Sequence, residues 1–76
     1  MSGRLPAISG KETVRALSKA GFRVVRQKGS HVRLEKFEAG KTIKLTVPMH
    51  RTLKRGTLRQ IIADAEMDVP DFLPPL

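Results

Sequence analysis

The stretch FRVVRQKGSHVRLEKFEAGKTIKLTV, residues 22–47, decides the fold because it places two turn signals between three segments rich in β-prone residues. Gly29-Ser30 has the length and composition of a two-residue hairpin turn. Residues 38–40 form a second turn, in which Gly40 supplies a positive φ. These signals predict antiparallel strands over residues 22–28, 31–37 and 42–47.

Alternation of apolar and polar side chains gives the sheet a buried face and an open face. In the third strand Ile43, Leu45 and Val47 point one way, and in the second strand Val32 and Leu34 do the same. The open face is therefore predicted to carry the polar side chains of both strands, which are His31, Arg33, Glu35, Thr42, Lys44 and Thr46.

Amphipathic helices are predicted on either side of the strands. Ser9 and Glu12 fit a capping box that opens a helix ending near Ala20. Thr57 and Gln60 fit a second box, and the helix it opens should end near Met67 with a buried stripe of Leu58, Ile61, Ile62 and Ala65. Because both helices need an apolar surface, the predicted fold class is α+β with the order α-β-β-β-α. It is a three-stranded antiparallel sheet with two helices on one face.

Length and composition restrict the kind of protein. We expect 76 residues to form a single domain, with a core over about 9–67 and a tail over 68–76 that packs Phe72 or Leu73 onto the body. There is no cysteine, and the carboxylates lack the spacing of a calcium loop, so we expect neither a metal nor another cofactor. Without a long apolar run or a signal peptide, we expect a cytoplasmic protein with no membrane partner.

The distribution of charge points to a partner. The net charge is +8, and residues 22–59 alone carry eleven Lys or Arg and two acids, a net of +9. Residues 60–76 carry four acids and no Lys or Arg. Such a directed basic surface favours a polyanion, usually nucleic acid. Charge alone leaves a second interpretation open, which is a solvated coat of lysine and arginine.

Three motifs in order resemble the HicA family of small toxins. Residues 21–33, GFRVVRQKGSHVR, are similar to that family's glycine–aromatic start, basic strand and Gly-Ser-His turn. Residues 47–50, VPMH, resemble its valine-proline-x-histidine step. Residues 54–61, KRGTLRQI, resemble its lysine-glycine-threonine-leucine helix start. The three motifs are spread over residues 21–61, and the resemblance extends over most of residues 10–67.

The resemblance implies a fold like that of a double-stranded-RNA-binding domain. It also implies cleavage of mRNA and neutralisation by a HicB-type antitoxin. The histidine of the Gly-Ser-His turn is the family's catalytic residue, and it corresponds to His31 here. The tail after Met67 matches no pattern of the family, so nothing is carried over to it.

Elementary chemistry supports the same role for His31. RNA holds its own nucleophile, the 2′-hydroxyl, so cleavage needs a base for that proton, an acid for the leaving 5′-oxygen, and cations for the phosphorane charge. Histidine suits the base because its ordinary pKa of about 6.5 lies near neutral pH. His50, Lys28 and a bound water all remain candidates for the acid. No acidic residue is placed to complete a triad with Ser30, which we interpret as a turn residue.

Nine residues are predicted to bind RNA, mainly through its phosphates. They are Arg26, Lys28, Ser30, Arg33, Lys44, His50, Arg51, Lys54 and Arg55. Base stacking is not expected, because the sequence has no Tyr or Trp and its three Phe are assigned to the core or the tail. Two alternatives to the ribonuclease stay open. One is a non-catalytic RNA-binding module of the same fold, and the other is an interaction domain that binds an acidic protein.

Overall fold

The computed structural model describes residues 7–72 and shows the helices and strands in the predicted order. The elements are α1 (Gly10–Lys19), β1 (Arg23–Lys28), β2 (His31–Glu38), β3 (Lys41–Pro48), α2 (Arg55–Asp64) and the one-turn α3 (Val69–Phe72). The strands form one antiparallel sheet in the order β1-β2-β3. The predicted α+β fold is therefore confirmed. No helix in the described part of the chain is long and apolar enough to cross a membrane.

The core lies between one face of the sheet and the two longer helices. The alternation predicted for β2 and β3 is observed, since their inward side chains are buried: Val32, Leu34, Ile43, Leu45 and Val47. The predicted stripe of α2 is buried with them: Leu58, Ile61, Ile62 and Ala65. Phe72 of α3 also packs into the core as predicted, whereas Leu73 lies outside the described residues. A core this small covers only one face of the sheet, and the other face meets water.

Helix α1 begins with the predicted capping box. The Glu12 N–H donates to Ser9 Oγ at 3.0 Å, and the Ser9 N–H donates to Glu12 Oε1 at 2.9 Å. On the buried face of this helix, Thr13 is fully buried beside Leu17, whereas Val14 is only half-buried. The Thr13 hydroxyl donates to the Ser9 carbonyl at 2.9 Å, so a polar side chain enters the core with its hydrogen bond made.

Helix α2 begins earlier than predicted, and the capping box assigned to Thr57 and Gln60 is wrong. The N-cap is Lys54, which makes no capping bond through its side chain. Thr57 therefore lies inside the first turn. Gln60 reaches along the helix instead, where its Nε2 donates to Asp64 Oδ1 at 2.8 Å.

Both ends of α2 are marked by features of the flanking residues. Leu53 is buried, and its N–H donates to the Ile8 carbonyl at 2.8 Å, which fixes the chain just before the helix starts. Beyond the helix, Glu66 has a φ of 59°, a left-handed conformation that helices do not continue through. Helix α2 therefore ends at Asp64 rather than near Met67.

A β-bulge in β1 decides which of its side chains reach the open face. The hairpin turn pairs Lys28 with His31, and the register then shifts by one residue between Val24 and Arg26. In an unbroken strand Phe22 and Lys28 would point to the same face, since they are an even number of residues apart. The bulge turns Phe22 into the core, where it is 3% exposed, and leaves Lys28 beside His31.

Deleting Val25, the extra residue of the bulge, should make Phe22 and Lys28 compete for one face. Expelling a buried phenylalanine removes stabilisation similar to a Phe→Ala change, about 3–5 kcal/mol. We expect the free energy of unfolding, measured by urea denaturation, to fall by a comparable amount. The control Val25→Ala keeps the register at an exposed position and should change it by less than about 1 kcal/mol. A deletion variant as stable as the wild type would mean that the bulge is dispensable.

Candidate functional site

On the open face of the sheet, cationic side chains lie near His31 at two successive cross-strand positions. Residues directly opposite each other on neighbouring strands share a face. Lys28 of β1 lies opposite His31 of β2. Two residues further along β2, Arg33 lies between Arg26 of β1 and Thr46 of β3. All five side chains are exposed. The pairing register therefore gathers one imidazole, three cations and one hydroxyl on a small area of sheet.

These five residues line a shallow cavity of about 230 Å³. Among the described residues the lining holds no carboxylate, so the local field is positive and suits an anionic ligand such as a phosphate. Of the predicted RNA-binding residues, Arg26, Lys28 and Arg33 meet in this cavity with His31.

The backbone at His31 is held on both sides because β2 is the central strand of the sheet. His31 pairs with Lys28 on one side and with Pro48 on the other. The Met49 N–H donates to the Ser30 carbonyl at 2.6 Å, which ties the β1–β2 turn to the end of β3. An exposed imidazole on a fixed backbone can meet a ligand with little reorganisation of the protein.

The other predicted RNA-binding residues lie outside this cavity. Lys44 is on the open face but pairs with Glu35, further along the strands. Four exposed residues follow β3 and lead into the first turn of α2: His50, Arg51, Lys54 and Arg55. Of the two side chains considered for the acid, Lys28 lines the cavity and His50 does not.

Phe37 is the residue that the sequence prediction misplaced. Phe22 and Phe72 are buried as expected, but Phe37 is 76% exposed. It lies on the open face, since it follows His31, Arg33 and Glu35 at every second position of β2. Alternation along β2 predicts that residue 37 lies on the open face, whereas the apolar character of phenylalanine predicts that it is buried. The assignment of all three Phe to the core or tail is therefore wrong.

Helix α1 holds the connector, residues 49–54, that bears His50. The Gly10 N–H donates to the His50 carbonyl at 2.9 Å. A Cβ at Gly10 would clash with the Pro48 carbonyl oxygen and would lie 2.8 Å from Met49 Cα. Since both atoms belong to the backbone, only glycine permits this approach.

The fold and the open face define a small α+β protein that presents a histidine among cations. The profile of a family described as HicA toxin of bacterial toxin-antitoxin matches residues 10–67. The chain belongs to this family, as the three sequence motifs predicted. It is thus a toxin of a toxin–antitoxin system, and membership implies an antitoxin as partner. No curated protein matches the chain.

The close approach at Gly10 can be tested with a matched pair of substitutions. Gly10→Ala forces the helix and the connector apart, and overpacking of this kind destabilises by about 1–3 kcal/mol. Gly56, in the first turn of α2, has open space around it. Gly56→Ala should leave the free energy of unfolding unchanged or raise it by about 0.4–1 kcal/mol. Thermal or urea denaturation of both variants measures the difference, and equal effects would contradict the contact.

Proposed function

We propose that this toxin is an endoribonuclease that cleaves mRNA by acid–base catalysis through His31. One observation carries the proposal: an exposed imidazole shares a cavity with three cations, Arg26, Lys28 and Arg33. The imidazole offers a base, and the cations offer charge to a phosphate. Loss of mRNA would account for the toxicity, and an mRNA substrate implies action in the cytoplasm.

The reaction begins with proton removal from a ribose 2′-hydroxyl by the neutral imidazole of His31. The 2′-oxygen attacks the adjacent phosphorus, and charge accumulates on the non-bridging oxygens. Arg26 and Arg33 stabilise that charge by charge-assisted hydrogen bonds, which is typically a large term in catalysis. The P–O5′ bond then breaks. The products are a 2′,3′-cyclic phosphate and a chain that begins with a 5′-hydroxyl.

The nucleophile belongs to the substrate, so this proposal requires no metal and no other cofactor. It does require RNA, because DNA lacks the 2′-hydroxyl. The remaining cations of the predicted set would hold the flanking phosphates, and their contacts would make binding weaken steeply as salt rises. They lie on β3 and around the start of α2: Lys44, Arg51, Lys54 and Arg55.

The leaving 5′-oxygen needs a proton, and Lys28 is the favoured side chain to supply it. Lys28 lines the same cavity as His31, and the two residues pair directly across the β1–β2 hairpin. A bound water that exchanges protons with solvent is the alternative. His50 is outside the lining of the cavity, so for it we favour contact with an RNA phosphate.

We propose a HicB-type antitoxin as the protein partner. An antitoxin that presents carboxylates to the open face would neutralise the cations and cover His31 in one step. Opposite charges on the two surfaces would also accelerate their association. The toxin would then be inhibited by occlusion of the face that binds RNA.

Removing the base tests the proposal directly. His31→Ala should lower the single-turnover cleavage rate of a single-stranded RNA by about 10²- to 10⁴-fold, the usual contribution of a general base. Folding and RNA affinity should persist, because the side chain is exposed and the cations remain. The wild-type products should end in a 2′,3′-cyclic phosphate and a 5′-hydroxyl.

Arg15→Ala is the matched control, since Arg15 is exposed on helix α1 rather than on the open face. Its cleavage rate should equal that of the wild type. Full activity of His31→Ala, or products with 3′-hydroxyl and 5′-phosphate ends, would refute the mechanism. A wild-type protein that binds RNA without cutting it would instead support the non-catalytic RNA-binding module.

A further inference from the structure

A second hollow lies around Phe37, where the open face ends and the sheet meets Lys36 and Gly21 of the helical side. Its volume is about 410 Å³, and its lining residues come from all three strands and the turn before β1: Gly21, Arg23, Glu35, Lys36, Phe37 and Thr42. Phe37 lies opposite Thr42, and Arg23 lies opposite Glu35. The proposed mechanism uses none of these residues.

The hollow combines one aromatic ring with polar groups, and no other apolar side chain lines it within residues 7–72. A protein anchor would need a contiguous apolar patch. In the described part of the chain the other exposed large apolar residues are Val24 and Val25, and neither lines the hollow. A ring edged by a carboxylate, a hydroxyl and a guanidinium suits a flat ligand with polar edges. A nucleobase has this character.

The two cations near the Phe37 ring, Lys36 and Arg23, differ in their interactions with other groups of the protein. Lys36 Nζ lies 2.8 Å from Glu38 Oε1 and 5.6 Å from the centroid of the Phe22 ring. This hydrogen bond and the charge of Lys36 lower the pKa of Glu38, which favours the charged carboxylate beside Lys36. Arg23 is exposed and forms no ion pair within the described residues. Arg23 is therefore the cation available to a phosphate beside the ring.

Phe37, Thr42, Glu35 and Arg23 of the hollow lie on the same face of the sheet as the cavity around His31. Phe37 and His31 are six residues apart on β2, which corresponds to about 20 Å along the strand. Between them lie Arg33 and Lys44, which can contact phosphates along the way. A strand of RNA whose scissile phosphate is at His31 would reach Phe37 a few nucleotides away.

We propose that Phe37 is a stacking platform for an unpaired base of the RNA, a few nucleotides from the cleaved phosphate. The inference rests on the proposed ribonuclease function and names its substrate class as single-stranded RNA. Bases of a duplex are already stacked on their neighbours and do not present a free face. The platform therefore selects unpaired RNA, while the cations supply affinity that duplex and single strand share.

The test uses His31→Ala as the uncleaving background and a single-stranded oligoribonucleotide as the probe. Adding Phe37→Ala should weaken binding roughly 5- to 150-fold, the range for loss of one stacked base. Phe37→Leu keeps apolar bulk without a ring and should weaken it similarly, whereas Phe37→Trp should retain affinity. Because the chain has no Trp or Tyr, that indole is the only strong fluorophore, and a stacked base should quench it.

Two controls separate stacking from charge. Lys44→Ala should reduce the slope of log affinity against log salt by about 1, whereas Phe37→Ala should leave the slope unchanged. Phe37→Ala should also leave the affinity for a duplex of the same sequence unchanged. Thermal denaturation checks that each variant folds, as expected for a ring that is largely in water.

Equal single-strand affinities for the Ala, Leu and Trp variants would overturn the inference. So would an equal loss of affinity for single strand and duplex. Loss of antitoxin binding with unchanged RNA affinity would also overturn it and assign Phe37 to a protein interface. Absence of any salt-dependent RNA binding by the His31→Ala background would instead refute the proposed function, and the two failures are therefore distinguishable.

Discussion

The bulge in β1 is the constraint on which the arrangement of the open face depends. The turn at Gly29 and Ser30 fixes Lys28 opposite His31, while the core requires Phe22 on the other side of the sheet. A regular strand cannot satisfy both demands, because side chains alternate strictly. One extra residue satisfies both, and it sets Arg26 and Lys28 on the face that carries His31.

A sheet face that no helix covers is suited to binding a polyanion. Both long helices pack on one side, so the other side needs no apolar side chains and can hold charge in contact with water. Neighbouring cations repel each other, and hydration keeps that repulsion modest in the free protein. A bound polyanion, whether RNA or the carboxylates of an antitoxin, would relieve it. The surface is therefore poised to bind negative charge, and His31 gives the same surface its proposed chemistry.

Much of the fold was predictable because its signals are local. The alternation in β3 and the capping box at Ser9 and Glu12 each depend on a few consecutive residues, and both predictions are confirmed. The start of α2 was not predictable in this way. The N-cap is Lys54 rather than Thr57, and it follows Leu53, whose N–H donates to the carbonyl of Ile8, a contact distant in sequence.

The open face was predictable for β2 and β3 but not for β1. A bulge is defined by cross-strand register, which imperfect alternation around Val24 can suggest but cannot locate. The exposure of Phe37 was not predicted for a different reason. Residue type favours burial of a phenylalanine, whereas alternation along β2 places this position on the open face. The grouping of Arg26, Lys28 and Arg33 around His31 needed the register as well as the sequence.

The position of the RNA on the open face can be measured by NMR. The protein is titrated with a single-stranded oligoribonucleotide whose 2′-hydroxyls are methylated, so that it binds without being cut. The largest shift changes should fall on the ring of His31 and on the open-face residues of all three strands, while α1 and α2 stay unperturbed beyond the first turn of α2. Shifts confined to the helical side, with the His31 ring unchanged at saturation, would contradict the proposed site.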